Sequence, residues 1–282
     1  MYPTSLRTLL DEATRYLAAV SDTPRLDAEV LLAAALQRPR SYLFTWPERV
    51  PEPVQAARFA AWLERRRQGE PIAYLLGQRE FWSLELRVTP DTLIPRPETE
   101  LLVELALDRL PADQALTVAD LGTGSGAIAL ALASERPRAR LIATDRSTAA
   151  LAVARDNARR LGMAQIEFRQ GDWCAALAGE RCTLIAANPP YLADADPHAQ
   201  RGDLRFEPRP ALVAGPEGLE ALRVIIATAP DVLEAGGWLL LEHGYDQGEA
   251  VPALLRERGF VAVGQHRDGA GLSRVSSGRW PA

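Results

Sequence analysis

The regular alternation of short apolar runs and helical segments after residue 115 constrains the fold of this chain more than any other feature. Each apolar run is followed by a longer stretch in which apolar residues recur at helical spacing. This alternation predicts an α/β fold with a mostly parallel sheet and helices on both of its faces. The predicted strands cover residues 116–121, 139–144, 166–169, 183–187 and 238–242, and the predicted helices cover residues 126–133, 147–161, 217–234 and 246–258.

The end of the chain departs from this alternation. Residues 260–266 and 272–278 are predicted as two strands, and few residues separate them. Parallel neighbours need a crossover of about a dozen residues, so these two strands are expected to pair in the antiparallel sense. We therefore predict a Rossmann-like sheet of seven strands, mostly parallel, with an antiparallel edge strand.

The first 70 residues are predicted to form a small helical bundle. Apolar residues recur at helical spacing from Leu6 to Leu17, and Thr23-Pro24 has the pattern of an N-cap followed by a helix-starting proline. A third helix is predicted over residues 53–68. This stretch holds no catalytic cluster, which favours a recognition module. Arg65-Arg66-Arg67 suits either complementation of the helix dipole or contact with RNA, and the acidic net charge favours the former.

Residues 71–97 are predicted to join two domains. Apolar and polar residues alternate from Trp82 to Val88, which indicates a strand with one solvated face. Thr89-Pro90-Asp91 is a turn signal, so Thr92-Leu93-Ile94 is expected to pair back as the second strand of a hairpin. The predicted organisation is a helical domain over residues 1–73, a hairpin linker over 74–97 and an α/β domain over 98–282.

Composition and charge exclude several classes of protein. The 282 residues are 47% hydrophobic and 24% charged, which is ordinary for a soluble protein with a real core. The net charge of −5 argues against a protein that grips phosphate backbones. Two cysteines and three histidines without ligand spacing argue against a metal site. The first residues lack a secretory pattern and no apolar stretch reaches membrane-spanning length, so a cytoplasmic enzyme is expected.

A glycine-rich loop follows the first predicted strand of the α/β domain. Gly122-Thr123-Gly124-Ser125-Gly126 leads directly into a helix, where free N–H groups point toward a ligand. Asp145 ends the next predicted strand, where a carboxylate can accept hydrogen bonds from both hydroxyls of an adenosine ribose. The spacing also satisfies the relaxed dinucleotide fingerprint. The loop therefore predicts an adenosine-containing cofactor without naming it.

Asp172-Trp173 follows the third predicted strand of this domain. An acidic residue and an aromatic residue there suit an adenine, because the carboxylate accepts from the amino group and the ring packs on the base. A surface aspartate beside a core tryptophan explains the pair equally well. Residues 205–208 lie in the long stretch after Tyr191 and are a candidate lid or substrate loop.

Asn188-Pro189-Pro190-Tyr191 ends the buried run over residues 183–187. The two prolines have no N–H to donate, so this backbone offers carbonyl oxygens with few competing donors. The Asn188 side-chain oxygen adds an acceptor, and Tyr191 adds an aromatic face. Acceptors beside a flat ring suit a planar NH₂ group, and the carboxyl end of a strand is where open α/β sheets bind ligands. A strand-ending turn is the alternative.

The glycine loop, Asp145 and the Asn188–Tyr191 corner together resemble class I S-adenosylmethionine-dependent methyltransferases that act on a conjugated NH₂ group. Within that group the chain resembles the HemK/PrmC family, the protein-(glutamine-N5) methyltransferases of peptide chain release factors. Four further stretches match the family and spread the resemblance over nearly the whole chain: residues 25–29, 92–100, 205–208 and 241–244.

The resemblance implies a helical substrate-recognition domain, a hairpin linker and an S-adenosylmethionine-dependent methyltransferase domain, with release factors as the protein substrate. The glutamine of a Gly-Gly-Gln loop is expected to enter between the domains, and no direct nucleic-acid or membrane partner is expected. The cofactor contacts carried over are Gly122, Thr123, Gly124, Ser125, Gly126, Asp145, Trp173 and Asn188. The glutamine site is Asn188, Pro189, Pro190 and Tyr191, of which Asn188, Pro189 and Tyr191 are the expected catalytic residues.

Three rival functions share part of this pattern. A glutamine methyltransferase of a ribosomal protein would use the same two loops. A nucleic-acid adenine-N6 methyltransferase also binds a conjugated amine, but it must extract a base and grip phosphates, which the acidic charge disfavours. A dinucleotide-dependent oxidoreductase would leave the Asn188–Tyr191 corner without a role. The stretch over residues 93–98 resembles the release-factor type, and this resemblance alone implies methylation of a release factor glutamine in preference to a ribosomal protein.

Overall fold

The computed structural model describes residues 4–282, and these residues form two compact units. The first unit contains residues 4–77 together with Gly202–Phe206, and the second contains Gln78–Arg201 and Glu207–Ala282. Residues 1–3 of the predicted helical domain lie outside the described residues.

The first unit is a bundle of helices. Its helices are α1 (Leu6–Leu17), α2 (Pro24–Leu36), α3 (Ser41–Thr45), α4 (Pro53–Arg67) and α5 (Ile72–Leu76). The Ser5 hydroxyl caps α1 by accepting a hydrogen bond from the Thr8 N–H, and Pro24 opens α2 at a position where no N–H is required. The apolar stripe of α1 is buried against α2, with Leu17 and Leu31 fully buried. The predicted helical bundle is confirmed.

Each arginine of Arg65-Arg66-Arg67 has a partner within this unit. Arg65 pairs with Glu70, and the Arg67 guanidinium lies over the Tyr16 ring. Arg66 is buried, and its Nε donates to Asp27 at 2.7 Å. Its Nη1 donates to Asp203 at 2.8 Å, which ties the segment Gly202–Phe206 to α4. Arg66 therefore does more than complement the helix dipole, because its guanidinium is held by two carboxylates.

The second unit opens with a β-hairpin. Strand β1 (Gln78–Phe81) pairs in antiparallel fashion with β2 (Leu84–Arg87) through a turn at Trp82 and Ser83. Both turn residues have positive φ, 52° and 58°, as a tight right-twisted hairpin requires. The expected pairing with residues 92–94 is wrong, because β2 takes its partner from the residues before Trp82.

Seven strands form the main sheet, with helices before and between them. After α6 (Glu100–Leu107), the elements in chain order are β3 (Thr117–Leu121), α7 (Ala127–Glu135), β4 (Arg140–Asp145), α8 (Thr148–Arg160), β5 (Glu167–Gln170), β6 (Cys182–Ala187), α9 (Glu220–Thr228), β7 (Leu233–Glu242), α10 (Ala250–Arg258), β8 (Val261–Arg267) and β9 (Ser273–Arg279). The sheet order is β5-β4-β3-β6-β7-β9-β8. All neighbours are parallel except the pairs that involve β9, so the predicted Rossmann-like architecture is confirmed.

The central strands explain why this sheet is stable. Every residue of β3 from Val118 onward and every residue of β6 from Leu184 onward is fully buried, because helices cover both faces. The apolar helix α7 is buried around its whole circumference. The last predicted helix before β7 ends earlier than expected, because α9 stops at Thr228 and β7 begins at Leu233.

One buried amide links the hairpin to the glycine-rich loop. The Asn157 side chain, on α8, accepts from the Arg87 N–H at 2.7 Å and donates to the Arg87 and Ser125 carbonyls at 2.9 Å each. The hairpin and the loop are therefore held on one helix. No helix within residues 4–282 combines the length and hydropathy of a membrane span.

Candidate active site

The glycine-rich loop turns sharply at the carboxyl end of β3. Gly122, Gly124 and Gly126 have φ of 72°, 55° and 89°, a region that side chains rarely adopt. A Cβ on Gly122 would lie 3.1 Å from the Trp173 ring. Glycine is therefore required at this position both for the turn and for the close approach of the tryptophan. Helix α7 begins directly after Gly126, so its first N–H groups lie beside the loop.

Asp120 holds this loop through hydrogen bonds from within the core. Its Oδ2 accepts hydrogen bonds from the Thr123 hydroxyl at 2.6 Å and from the Ala129 N–H at 3.1 Å. Burial raises the pKa of the Asp120 carboxyl to about 7, and these two hydrogen bonds oppose that rise. The carboxyl thus joins the loop to the first turn of α7.

Asp145 ends β4 beside the loop. Its Oδ2 accepts from the Gly124 N–H at 3.0 Å, and its Oδ1 accepts from the Ser147 N–H at 2.8 Å. The Ser147 hydroxyl in turn caps α8 by accepting from the Ala150 N–H. Backbone donors therefore fix the carboxylate in place, and its remaining lone pairs can receive hydroxyl donors.

Trp173 has an unusual backbone for a large residue. Its φ is 44°, and it follows Asp172 directly after the turn that leaves β5. Left-handed backbone at a bulky residue costs free energy and persists only where surrounding contacts require it. Asp172 is exposed, Trp173 is half-buried and packs against the core, and both residues line a cavity at this edge of the sheet.

The corner after β6 lies on the same cavity. Asn188 and Pro190 line it, and the Asn188 Nδ2 donates to the Thr99 hydroxyl oxygen at 3.1 Å. Pro189 is buried, and the described cavity lining includes neither Pro189 nor Tyr191. The Tyr191 carbonyl accepts from the Gln247 Nε2 at 3.1 Å, and burial raises the pKa of the Tyr191 hydroxyl. The structure thus brings Asn188 and Pro190 to the cavity, with Pro189 and Tyr191 behind them.

The cavity has a volume of about 730 Å³, which is in the range of small-molecule sites. Its lining includes two groups of predicted residues: the cofactor residues Gly122, Thr123, Gly124, Ser125, Asp145 and Trp173, and the corner residues Asn188 and Pro190. Gly126 lies behind the lining as the cap of α7. One concave site therefore joins the two loops.

The sequence reasoning missed several residues that shape this site. Glu207 is buried, accepts from the Ile94 N–H at 3.0 Å and forms an ion pair with Arg96, which itself lines the cavity. The predicted lid over residues 205–208 is therefore divided, since Arg205 and Phe206 belong to the first unit and Glu207 to the second. The sequence did not identify Thr99 or Glu242 as site residues either. Glu242 is a charged residue at the end of an apolar strand, and this pattern could have indicated it.

Comparison with known proteins places the chain among methyltransferases. Residues 8–77 match the model described as PrmC N-terminal domain, and residues 98–202 match the methyltransferase small domain. A release factor glutamine methyltransferase of Pseudomonas aeruginosa is 54% identical over 92% of this chain and 94% of its own length. One of Coxiella burnetii is 50% identical over 98% and 99%.

A solved structure supports the fold separately. A methyltransferase from Pyrococcus furiosus matches with a TM-score of 0.52 at 15% identity, over 79% of this chain and 100% of that one. At this identity the match shows only a shared fold.

Proposed function

Since this chain belongs to the release factor glutamine methyltransferase family, we propose that it methylates the side-chain amide nitrogen (N5) of the glutamine in the Gly-Gly-Gln motif of peptide chain release factors, with S-adenosylmethionine as methyl donor. The chain is a methyltransferase, and relatives at about half identity cover nearly its whole length. The observation that carries the proposal is the single cavity lined by Asp145 on one side and by Asn188 on the other.

The residues on the glycine-loop side fit the proposed methyl donor. Asp145 is held by backbone N–H groups and presents a carboxylate to a ribose diol, and Asp172 is suited to accept from an adenine amino group. The Trp173 ring packs on Gly122 and also lines the cavity, so it can offer an aromatic face to a flat base. When bound, S-adenosylmethionine supplies a methyl group activated by a sulfonium. The proposed contacts are Gly122, Thr123, Gly124, Ser125, Gly126, Asp145, Trp173 and Asn188.

The Asn188 corner suits a carboxamide. An amide nitrogen is a weak nucleophile, because its lone pair is delocalised into the carbonyl. Asn188 Oδ1 is proposed to accept one hydrogen of the glutamine NH₂ group. The Pro189 carbonyl, which lies outside the described cavity lining, is proposed to accept the other once the substrate is bound. This holds the nitrogen lone pair in one direction and stabilises the positive charge that develops on nitrogen, as an oxyanion hole does with the opposite sign. Pro190 closes the corner, and Tyr191 supports it from behind.

The corner needs no general base. The nitrogen becomes acidic once it is alkylated, so its extra proton leaves to solvent without a dedicated acceptor. Among the described lining residues there is no histidine. Asn188 and Pro189 therefore act by orientation and charge stabilisation, which together supply much of the rate enhancement in such reactions.

The proposal also assigns a role to each of the three predicted domains. The helical domain over residues 1–73 recognises the release factor, residues 74–97 form the hairpin linker, and residues 98–282 carry the chemistry. The protein acts in translation termination, in the cytoplasm, without direct contact to nucleic acid. The acidic net charge of −5 supports the last point.

An acceptor panel tests the proposal. The purified chain is incubated with methyl-labelled S-adenosylmethionine and a release factor, a ribosomal protein or DNA, and the label is mapped by peptide mass spectrometry. The expected result is one methyl group on the Gly-Gly-Gln glutamine and none on a release factor whose glutamine is replaced by glutamate. Label on the ribosomal protein or on DNA, with none on the release factor, would overturn the assignment.

A further inference from the structure

Asn188 and Glu242 lie side by side at the carboxyl ends of β6 and β7. Strands β6 and β7 are parallel neighbours, and their last registered pair is Ala187 with Leu241. The next residue on each strand is Asn188 and Glu242, so the sheet places an amide and a carboxyl next to each other at the edge that lines the cavity. The sequence alone does not reveal this adjacency, because it does not give the order of the strands.

Thr99 completes a group of three polar side chains. It lies immediately before α6, is buried, and accepts from the Asn188 Nδ2 at 3.1 Å. The Thr99 hydroxyl and the Asn188 amide both lie near the Glu242 carboxyl, and each lowers the pKa of that carboxyl. A hydroxyl can donate one hydrogen bond while it accepts another, so Thr99 can connect the amide to the carboxyl.

Glu242 is enclosed by protein. Its residue is 2% exposed, and its Oε2 has no partner at ordinary hydrogen-bond distance among the described residues. Burial raises the pKa of the Glu242 carboxyl to about 7, against the opposing effects of Thr99, Arg274 and Asn188. Arg274 on β9 is the cation that faces it, and Glu98 and the Tyr191 hydroxyl are the other titratable groups near it.

We propose that Glu242, acting through Thr99, is a positioning residue that fixes the side-chain amide of Asn188 with its Nδ2 turned toward Thr99 and its Oδ1 turned toward the cavity. The importance of this orientation for catalysis rests on the proposed function, because only Oδ1 can accept a hydrogen from a substrate carboxamide. The orientation itself is a property of the three side chains.

The direction of the hydrogen bonds follows from the charge on Glu242. An ionised carboxylate only accepts, so the Thr99 hydroxyl donates to it and offers its oxygen to Asn188, whose Nδ2 must then be the donor. A protonated Glu242 can donate to Thr99 instead. Thr99 is then free to donate to Asn188, and the amide can turn over and present Nδ2 to the cavity. Ionisation of Glu242 therefore selects the orientation in which Oδ1 faces the ligand.

Nuclear magnetic resonance of the Asn188 side chain tests the orientation without any ligand. The NH₂ resonances are assigned by their loss in Asn188→Ala. In the wild-type protein they are expected to exchange slowly with water above about pH 7 and to shift with a midpoint near the Glu242 pKa of about 7. Glu242→Gln is expected to abolish that midpoint, and Thr99→Val to speed the exchange. The proposal would be overturned if the Asn188 resonances did not shift with pH and if neither substitution changed their shift or their exchange rate.

Kinetics of methyl transfer give the second readout. Thr99→Val is expected to lower kcat about tenfold or more, since misplacement of an orienting group costs this much, while KM for the donor changes little. Thr99→Ser retains the hydroxyl and is expected to recover most of the lost kcat. The wild-type kcat is expected to fall below about pH 7, and Glu242→Gln to remove this acidic limb. An unchanged kcat in Thr99→Val would contradict the positioning role.

The two readouts separate this proposal from the proposed function. A wild-type protein that does not methylate glutamine but shows the titrating, protected Asn188 amide would end the functional assignment and support the orientation. A protein that methylates glutamine while its Asn188 amide is insensitive to Thr99 and Glu242 would support the function and overturn the positioning role.

Discussion

At the scale of single residues, buried polar groups at strand ends define the site. Asp120 lies one residue before the end of β3, Asp145 and Glu242 end β4 and β7, and Asn188 follows β6. Two of them, Asp120 and Glu242, are enclosed carboxyls whose pKa burial raises to about 7. Buried groups of this kind are costly unless they are hydrogen-bonded, and they concentrate where function requires them.

Replacement of Asn188 by alanine tests the central acceptor. Asn188→Ala removes Oδ1, and we expect kcat to fall by about 10²–10³, as it does when one donor of an oxyanion hole is lost. The fold is expected to survive, because Asn188 lies at the cavity and is not part of the core clusters. Single-turnover methyl transfer measures the rate, and calorimetric binding of S-adenosylhomocysteine serves as the control. A variant that keeps most of its activity would remove Asn188 from the mechanism.

The raised pKa of the Glu242 carboxyl predicts the direction in which the stability of the protein changes with pH. This pKa is raised from 4.5 to about 7 in the folded state, so the folded protein binds more protons than the unfolded chain between these values. The stabilisation is complete below the unfolded pKa and is lost as pH rises through about 7. Asp120 contributes in the same direction.

In the wild-type protein, the unfolding free energy is expected to decrease between about pH 5 and pH 7 as Glu242 ionises. In Glu242→Gln this decrease is expected to be smaller, by up to about 3 kcal/mol over that range. Urea denaturation of both proteins at a series of pH values measures the difference. Parallel stability curves for the two proteins would show that Glu242 titrates alike in the folded and unfolded states.

At the scale of elements, the glycine-rich loop between β3 and α7 is the part with the least freedom. Three glycines in left-handed backbone, a tryptophan ring packed on the first of them and an aspartate below fix its shape. Both the backbone conformation and the space beside Gly122 are restricted, so we expect other residues to fit this loop poorly.

A matched pair of glycine variants separates the cost of backbone strain from the effect of a Cβ in the space that the Trp173 ring occupies beside Gly122. Gly122 and Gly162 have nearly the same φ, 72° and 74°, but a Cβ on Gly162 meets nothing within 4 Å. Gly162→Ala is expected to lower stability by about 1 kcal/mol, the cost of the backbone conformation alone.

Gly122→Ala is expected to carry the same cost and, in addition, to weaken S-adenosylhomocysteine binding about threefold or more, because its Cβ would lie 3.1 Å from the Trp173 ring and shift it slightly. Thermal unfolding and titration calorimetry of both variants measure the two effects. Equal binding by both variants would show that the loop and Trp173 do not contact the ligand.

The elements also show what the sequence could and could not predict. The strands and the two ligand loops were predictable, because apolar runs, glycine spacing and Asn-Pro-Pro have local physical meanings. The hairpin was paired wrongly, because its turn at Trp82-Ser83 uses positive φ without glycine or asparagine. The Asn188–Glu242 neighbourhood depends on β6 lying beside β7, which is a property of the assembled sheet and not of any local stretch.

At the scale of the whole molecule, the described residues form a helical unit and an α/β unit. Each unit has its own buried core: one around Leu10, Leu31 and Phe59, and the other on the two faces of the sheet. The short segment Gly202–Phe206 returns from the α/β part of the sequence to the helical unit, where Asp203 meets Arg66.

Arg66 is expected to be important for the stability of the helical unit. Arg66→Leu leaves the buried Asp27 without its guanidinium partner, and we expect a loss of about 2 to 3 kcal/mol, somewhat less than for a fully enclosed pair because Asp203 is partly exposed. Arg58→Leu on the same helix is the control, since Arg58 is exposed. Denaturant unfolding compares the two variants. Equal stabilities would show that the Arg66 network contributes nothing net.

The structure of a complex with S-adenosylhomocysteine and a Gly-Gly-Gln peptide tests the central claim most directly. We predict that the glutamine side chain enters the cavity beside Asn188 and that its two amide hydrogens point to Asn188 Oδ1 and to the Pro189 carbonyl. Its nitrogen is expected to face the sulfur of the ligand held by the glycine loop. A glutamine bound elsewhere, or a corner with Asn188 Oδ1 turned away from the peptide, would contradict this account of the enzyme.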